Sequence, residues 1–351
     1  MAMFTLLHVS DLHFATEANR RISFPSFPKV EPFNTHDATI AAALELFCAQ
    51  LALQMSKKGI GIDQVIITGD IANTGKVDNL RLAKRNLDRI VELLRSALTN
   101  GPTDRHGSLT DRIFLVPGNH DRYITDSRLA VVSFSEDPRF EEIFSPYWPP
   151  KDCGQRRLRA RTVTKSTKTG TASIELIGID FSLKRPGDAT LSALPTHWGQ
   201  GLADGDTLQR LMTYTSKIRK SSLPIWVMHF PPSSDVAKGL LLRNSSFVRN
   251  AALSKNCRVP LVLCGHVHDP QRLQVASECE IWLAHSATQF SEPNGHGVHL
   301  TQIEIEGSRF IGATRTTYRF DGQTFRPSFF EDKYGSEASS ILPNTHVIEG
   351  Q

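Results

Sequence analysis

Five short stretches of this 351-residue chain share one pattern, an apolar run that ends in Asp, Asn or His. They are LLHVSDLH (Leu6 to His13), VIITGD (Val65 to Asp70), FLVPGNHD (Phe114 to Asp121), IWVMHFPP (Ile225 to Pro232) and LVLCGHVHD (Leu261 to Asp269). A Pro-Gly pair such as Pro117 and Gly118 marks a loop, and one polar loop would deserve no comment. A solvated loop does not need His at both places in GHVH, nor Asp and His two apart in DLH. Together the run ends offer Asp11, His13, Asp70, Asn119, His120, His229, His266 and His268. Carboxylate, imidazole and amide suit divalent first-row metals such as Mn, Fe or Zn, and the lack of Cys argues against a closed structural zinc site. With His120 set aside, the seven others are too many for one ion and about right for two ions sharing one carboxylate.

Elements must hold these groups in place. Each run is long enough for a buried strand, and ligands of open α/β sheets bind at the C-terminal strand edge. Side chains at i and i+2 of an extended chain share a side, so Asp11 with His13, and His266 with His268, are expected to converge. Between the first two runs, Ile40, Leu44, Phe47, Leu51 and Met55 fall at helical spacing, with Asp37 or Thr35 to cap the start and Gly59 to end it. Leu80, Ala83, Leu87, Ile90 and Leu94 predict a second helix over 78–98, and a third is expected from Thr207 to about Arg219. Alternation of strand, helix and strand is the α/β signature. In the second half, 173–180, 280–287, 298–307 and 309–320 alternate apolar and polar residues, which predicts an antiparallel sheet beside the first. The expected fold class is α/β, with two packed mixed β-sheets flanked by helices. One domain is expected over 1–325, carrying a basic insertion or hairpin at about 124–172, followed by a polar tail over 326–351.

Apolar residues at 40% and charged residues at 22% fit an ordinary globular domain. The net charge of +4 is too small to argue for nucleic acid, although 151–168 holds four Arg and three Lys against one Asp. Five cysteines without a CxxC spacing fit reduced thiols better than a disulfide framework. The N-terminus has no basic leader segment, and removing it would remove Asp11. No uninterrupted apolar run of spanning length occurs. A cytoplasmic protein that does not enter membranes is expected.

The ordered set DLH, GD, GNHD, a lone His after a strand, and GHVH resembles the calcineurin-like metallophosphoesterase superfamily. The matching stretch, Asp11 to His268, is about three quarters of the chain. The resemblance implies a four-layer α/β/β/α sandwich. It also implies that Asp11, His13 and His268 bind one ion, that Asn119, His229 and His266 bind the other, and that Asp70 bridges them. Two such ions activate water and offset the charge that builds on phosphate oxygens. By the same resemblance His120 is a general acid or transition-state donor, with Asp121 expected to orient it.

Departures within the motifs narrow the substrate. Serine/threonine phosphatases of the superfamily carry GD-x-x-D-R-G and GNHE, whereas this chain has GDIANTG and GNHD. GNHD with GHVH is more similar to the phosphodiesterase branch, which includes bacterial cyclic-nucleotide phosphodiesterases. A small phosphodiester, a nucleotide, is the expected substrate. The alternatives are a nuclease, because of the basic run, then a phosphomonoesterase or protein phosphatase, then a non-catalytic scaffold. The basic run is read as a solvated hairpin strand, His8 as a hydrogen-bonded core residue, Asn73 as part of a turn, and His285 as a weak candidate for the pocket wall.

Overall fold

Ala2–Val9 (β1) is a strand with both faces covered, which is why it reads as a nearly continuous apolar run. Phe4 and Leu6 enter one core, whereas Leu7 and Val9 enter another. Gln64–Thr68 (β2) joins β1 in parallel, and Ile113–Val116 (β3) joins β2 in the same way. The second sheet is built alike. Lys151–Asp152 (β4) and Leu158–Thr167 (β5) lead into Gly170–Ile179 (β6), and then Leu223–Met228 (β7) and Leu261–Cys264 (β8) add in parallel. Arg272–Ala276 (β9) and Cys279–Leu283 (β10) complete it. Gly297–Glu306 (β11), Arg309–Phe320 (β12) and Phe325–Gly335 (β13) return to the first sheet as antiparallel strands. The strand orders are β13-β12-β11-β1-β2-β3 and β9-β10-β8-β7-β6-β5-β4.

This computed structural model describes residues 1–16, 21–22, 33–99, 108–126, 129–132, 138–147, 151–152, 157–168, 170–182, 200–233, 242–269, 272–276, 278–289 and 295–335. Ala38–Lys57 (α1) starts at Asp37, whose carboxylate accepts the N–H groups of Thr39 at 2.8 Å and Ile40 at 3.2 Å. With Val77–Leu93 (α2) it covers the outer face of the first sheet, so that Leu44, Phe47 and Leu87 share a core with Leu7, Val65 and Leu115. Gly205–Ile218 (α3) and Ser245–Leu253 (α4) cover the second sheet through Leu211 and Val248. Phe4, Phe114, Leu176, Ile225 and Leu263 fill the space between the sheets. The result is four layers, helix, sheet, sheet, helix.

Several expectations need correction. The segments at 173–180 and 280–287 do not join 298–307 and 309–320 in a separate antiparallel sheet. The five ligand-bearing strands are divided, three in the first sheet and two in the second. Alternation along a strand reports which face is buried, not which strand lies beside it. The first sheet also runs ten residues past position 325. Asp321 accepts the N–H groups of Gln323 and Thr324, both at 2.9 Å, and Gly322 takes φ of 102°, so a tight turn feeds β13 back onto β12. The second helix stops at Leu93, and a short helix follows at Arg95–Thr99. By length and composition α1 could cross a membrane, yet Ile40, Leu44, Phe47, Leu51 and Met55 are buried in the core. Cys48, Cys257, Cys264 and Cys279 are buried thiols, and Cys153 lies outside the described residues.

Candidate metal centre

The parallel strands β1, β2, β3, β7 and β8 end at Val9, Thr68, Val116, Met228 and Cys264, each one to three residues before its first candidate ligand. Convergence does not come from extended chain. Asp11 (φ 54°), His13 (51°), Asp70 (50°), His266 (72°) and His268 (57°) are left-handed, and among the described residues the other non-glycine positions with positive φ are Asn244 and Arg258. Each such residue costs roughly 1–2 kcal/mol, and strain gathered in this way at one place marks a functional site. The loops are zipped together by Asp11 N–H to Gly69 O (3.1 Å), His13 N–H to Asp70 O (2.9 Å) and Phe14 N–H to Ile71 O (2.9 Å). Two motif glycines make this approach possible. A Cβ at Gly118 would lie 2.1 Å from Asp70 Oδ1, and one at Gly265 would lie 2.0 Å from Ser10 Oγ.

Three groups of ligand atoms result, each within 4.8 Å: Asp11, His13 and His268; Asp70, His229 and His266; and His13, Asp70 and His120. In the second, His229 Nε2 lies 3.2 Å from Asp70 Oδ2, 3.0 Å from Asn119 Oδ1 and 3.1 Å from His266 Nδ1. His229 Nδ1 donates to Thr68 O at 2.6 Å, which leaves Nε2 as the basic nitrogen of the neutral ring. In the first group His268 Nε2 is 3.1 Å from Asp11 Oδ1. Seven expected ligands are therefore brought to one place, with Asp70 between the two halves.

These residues fit divalent cations. Buried nitrogens normally have hydrogen-bond partners, yet among the described residues both ring nitrogens of His13 and Nε2 of His266 have none. Lone pairs of Asp70, Asn119, His229 and His266 face one another, an arrangement that needs a positive charge at its centre. Burial opposes charge on His229, but Asp70 outweighs it and raises that imidazole to about 9, so the surroundings of Nε2 favour a positive charge there. Burial also opposes charge on Asp11, and His268 then brings it down to about 2. His13 and His266 are driven to about 3, chiefly by burial, and stay neutral as ligands must.

His120 sits in a short 3-10 turn (His120–Arg122), half-buried, its ring 4.7 Å from that of His13. Its backbone N–H donates to Asp70 Oδ1 at 2.8 Å, and Nδ1 meets the carbonyl of Asn73 at 2.9 Å. The contact that fixes the imidazole therefore comes from Asn73, which the sequence had marked only as a turn residue. Asp121 does other work than the orienting role expected of it. Its oxygens accept Ala72 N–H at 2.8 Å and Gly118 N–H at 2.9 Å, bracing the loops after β2 and β3 against each other. Burial and the charge of Asp70 push Asp121 up to about 7, against those N–H groups. No sequence signal distinguished Asn73 from Asp121, because the two tasks depend on how separate loops meet.

His285 joins none of the three ligand groups. It lies in a buried layer between the sheets with His8 and His299: His8 Nε2 meets Thr68 Oγ1 at 2.9 Å, and His299 Nε2 accepts His285 N–H at 3.1 Å. Burial, with Arg315 assisting, lowers His8 to about 3, and burial with Arg319 does the same to His285. Above pH about 6.5 neither state of the chain protonates them. Below it the unfolded chain takes up protons that the folded chain refuses, so stability is lost as pH falls towards 3. Each group adds up to about 1.4 kcal/mol per pH unit in that window. Urea unfolding between pH 7.5 and 5 should show this slope, and His8→Gln should reduce it by about one proton.

Comparison with known proteins bears on the fold and the family. A dimetal phosphatase from Danio rerio has a similar structure, with TM-score 0.58 and 13% identity over 95% of this chain and 98% of that one. GAP50, described as the anchor in the inner membrane complex of Plasmodium, is similar with TM-score 0.51 and 9% identity over 98% and 92% of the two chains. At such identities the likeness shows a shared fold. No curated protein matches the chain in sequence. The family model for calcineurin-like phosphoesterases matches residues 4–270, the span that runs from β1 through the last histidine of the centre. With that match, and with strand ends that deliver its ligand groups to one point, the chain belongs to the calcineurin-like phosphoesterases.

Proposed function

We propose that the chain is a two-ion phosphodiesterase that hydrolyses small nucleotide diesters of the cyclic-nucleotide kind. One ion would be held by Asp11, His13 and His268, the other by Asn119, His229 and His266, with Asp70 shared. Bound ions supply water activation and neutralise charge at phosphoryl oxygens. The chain's own residues do the rest. Asp70 couples the ion ligands to the catalytic turn through the His120 N–H. Asn73 accepts from Nδ1 of His120, so the mobile proton for the leaving oxygen sits on Nε2.

The observation that carries diester over monoester is Thr74. It stands where GD-x-x-D-R-G has arginine, it is buried, and its Oγ1 accepts Asn79 Nδ2 at 2.8 Å. Among the described residues, the leading charged influences on Asp11, His13, Asp70, His229 and His266 are other histidines and aspartates. A dianionic monoester calls for more fixed positive charge than a monoanionic diester does. Turnover of cyclic mononucleotides, linear dinucleotides, single-stranded DNA and phosphomonoesters, each with added Mn, tests this. The highest kcat/KM is expected for a small diester. A clear preference for monoesters would overturn it.

The basic run does not favour a polynucleotide. β5 and β6 form the expected hairpin, but three of its charges are held by the protein itself. Arg157 pairs with Asp204 at 2.6 Å, Lys165 pairs with Asp63 at 2.7 Å, and Arg161 donates to the carbonyls of Asp111 and Ile113. Contacts to several phosphates of a single strand would give a slope of about 0.7 in log K against log salt for each. A shallow salt dependence is expected instead. Arg157→Ser should lower unfolding stability by about 2 kcal/mol, because Asp204 loses its charged partner and keeps the N–H and hydroxyl of Thr207, while the salt slope stays unchanged.

A further inference from the structure

Two of the three ligand groups contain His13. One is completed by Asp11 and His268, the other by Asp70 and His120. The two-ion assignment uses the first of these and leaves the second without a role. We propose that His13, Asp70 and His120 form an alternative, non-productive seat for the ion nearest His13. The inference rests on the assignment of His120 to the substrate.

The chemistry of the seat favours Zn²⁺, which takes two imidazoles and a carboxylate and keeps an open position. His120 is already arranged as metal-binding histidines are, with its other ring nitrogen on a carbonyl oxygen, that of Asn73 at 2.9 Å. Asp70 is within reach, since its Oδ1 lies 2.8 Å from the His120 backbone nitrogen. The His13 and His120 rings meet edge to face at 4.7 Å, and neither nitrogen of His13 has a hydrogen-bond partner among the described residues. His120 and His268 are both half-buried while His13 and Asp70 are enclosed, so an ion arriving from solvent can meet either histidine on its way to His13. An ion seated there takes the Nε2 lone pair of His120. That nitrogen then carries no proton for a leaving group, and the enzyme is inhibited until the ion moves towards Asp11 and His268 or is chelated.

Zn²⁺ stoichiometry and affinity, measured by equilibrium dialysis with elemental analysis, test the proposal on unmutated protein, His268→Ala, and His268→Ala with His120→Gln. Two ions per chain are expected in the unmutated protein. His268→Ala should still hold a second ion, at least tenfold tighter than the double variant does. Equal affinity in the single and double variants would overturn the alternative seat. Fewer than two ions in the unmutated protein would instead overturn the two-ion assignment. Circular dichroism checks folding, and His268→Asn replaces His268→Ala should the latter not fold, with the same two outcomes.

Discussion

Asp70→Asn is expected to lower kcat/KM by more than about 10³-fold, the equivalent of about 4 kcal/mol of lost transition-state stabilisation. The carboxylate belongs to two of the three ligand groups, reaches His229 with one oxygen and holds the His120 N–H with the other. Asparagine keeps the shape and removes the charge. Burial already disfavours the charged form, and it is His229 and His120 that hold the Asp70 carboxylate well below its ordinary range. Without the negative charge, neither half of the centre keeps its cation. Metal analysis should show reduced occupancy of both positions, whereas His13→Ala should mainly empty one. A variant that kept two ions and most of its turnover would contradict the bridging role.

The second large effect is that of His120. His120→Ala should leave metal content close to normal while kcat falls by about 10²- to 10⁴-fold, the range for loss of a general acid. The loss should shrink for esters with nitrophenolate leaving groups, which depart without a proton, and stay large for alkoxides. Equal losses for both would favour charge stabilisation over proton donation. Asn73 sharpens the expectation, because its carbonyl fixes the ring that the substitution removes.

Much of the centre was legible in the sequence, because a buried strand must be apolar and the abrupt Asp, Asn or His at its end has no packing reason to be there. Asp11, Asp70, His229 and His266 follow from that contrast alone. The division of their strands between two sheets was not legible. Residues 173–180 alternate as an antiparallel strand would, yet β6 pairs with β5 on one side and runs parallel to β7 on the other. The left-handed conformations of Asp11, His13 and His268 were not legible either, since aspartate and histidine, though enriched at positive φ, adopt it in only a small share of their positions. Adjacency in sequence gave no sign that Asp121 also braces the backbone of two loops. At the basic run the hairpin could be read from the turn. The pairing of two of its charges could not, because Asp204 and Asp63 lie far away in sequence and only the folded chain brings them to Arg157 and Lys165.

The most direct test of the two-ion centre is elemental analysis of active, unmutated protein, with turnover followed as metal is added back to the stripped chain. Two equivalents per chain are expected, with turnover completed only by the second. Full turnover with a single tightly held ion would contradict the account.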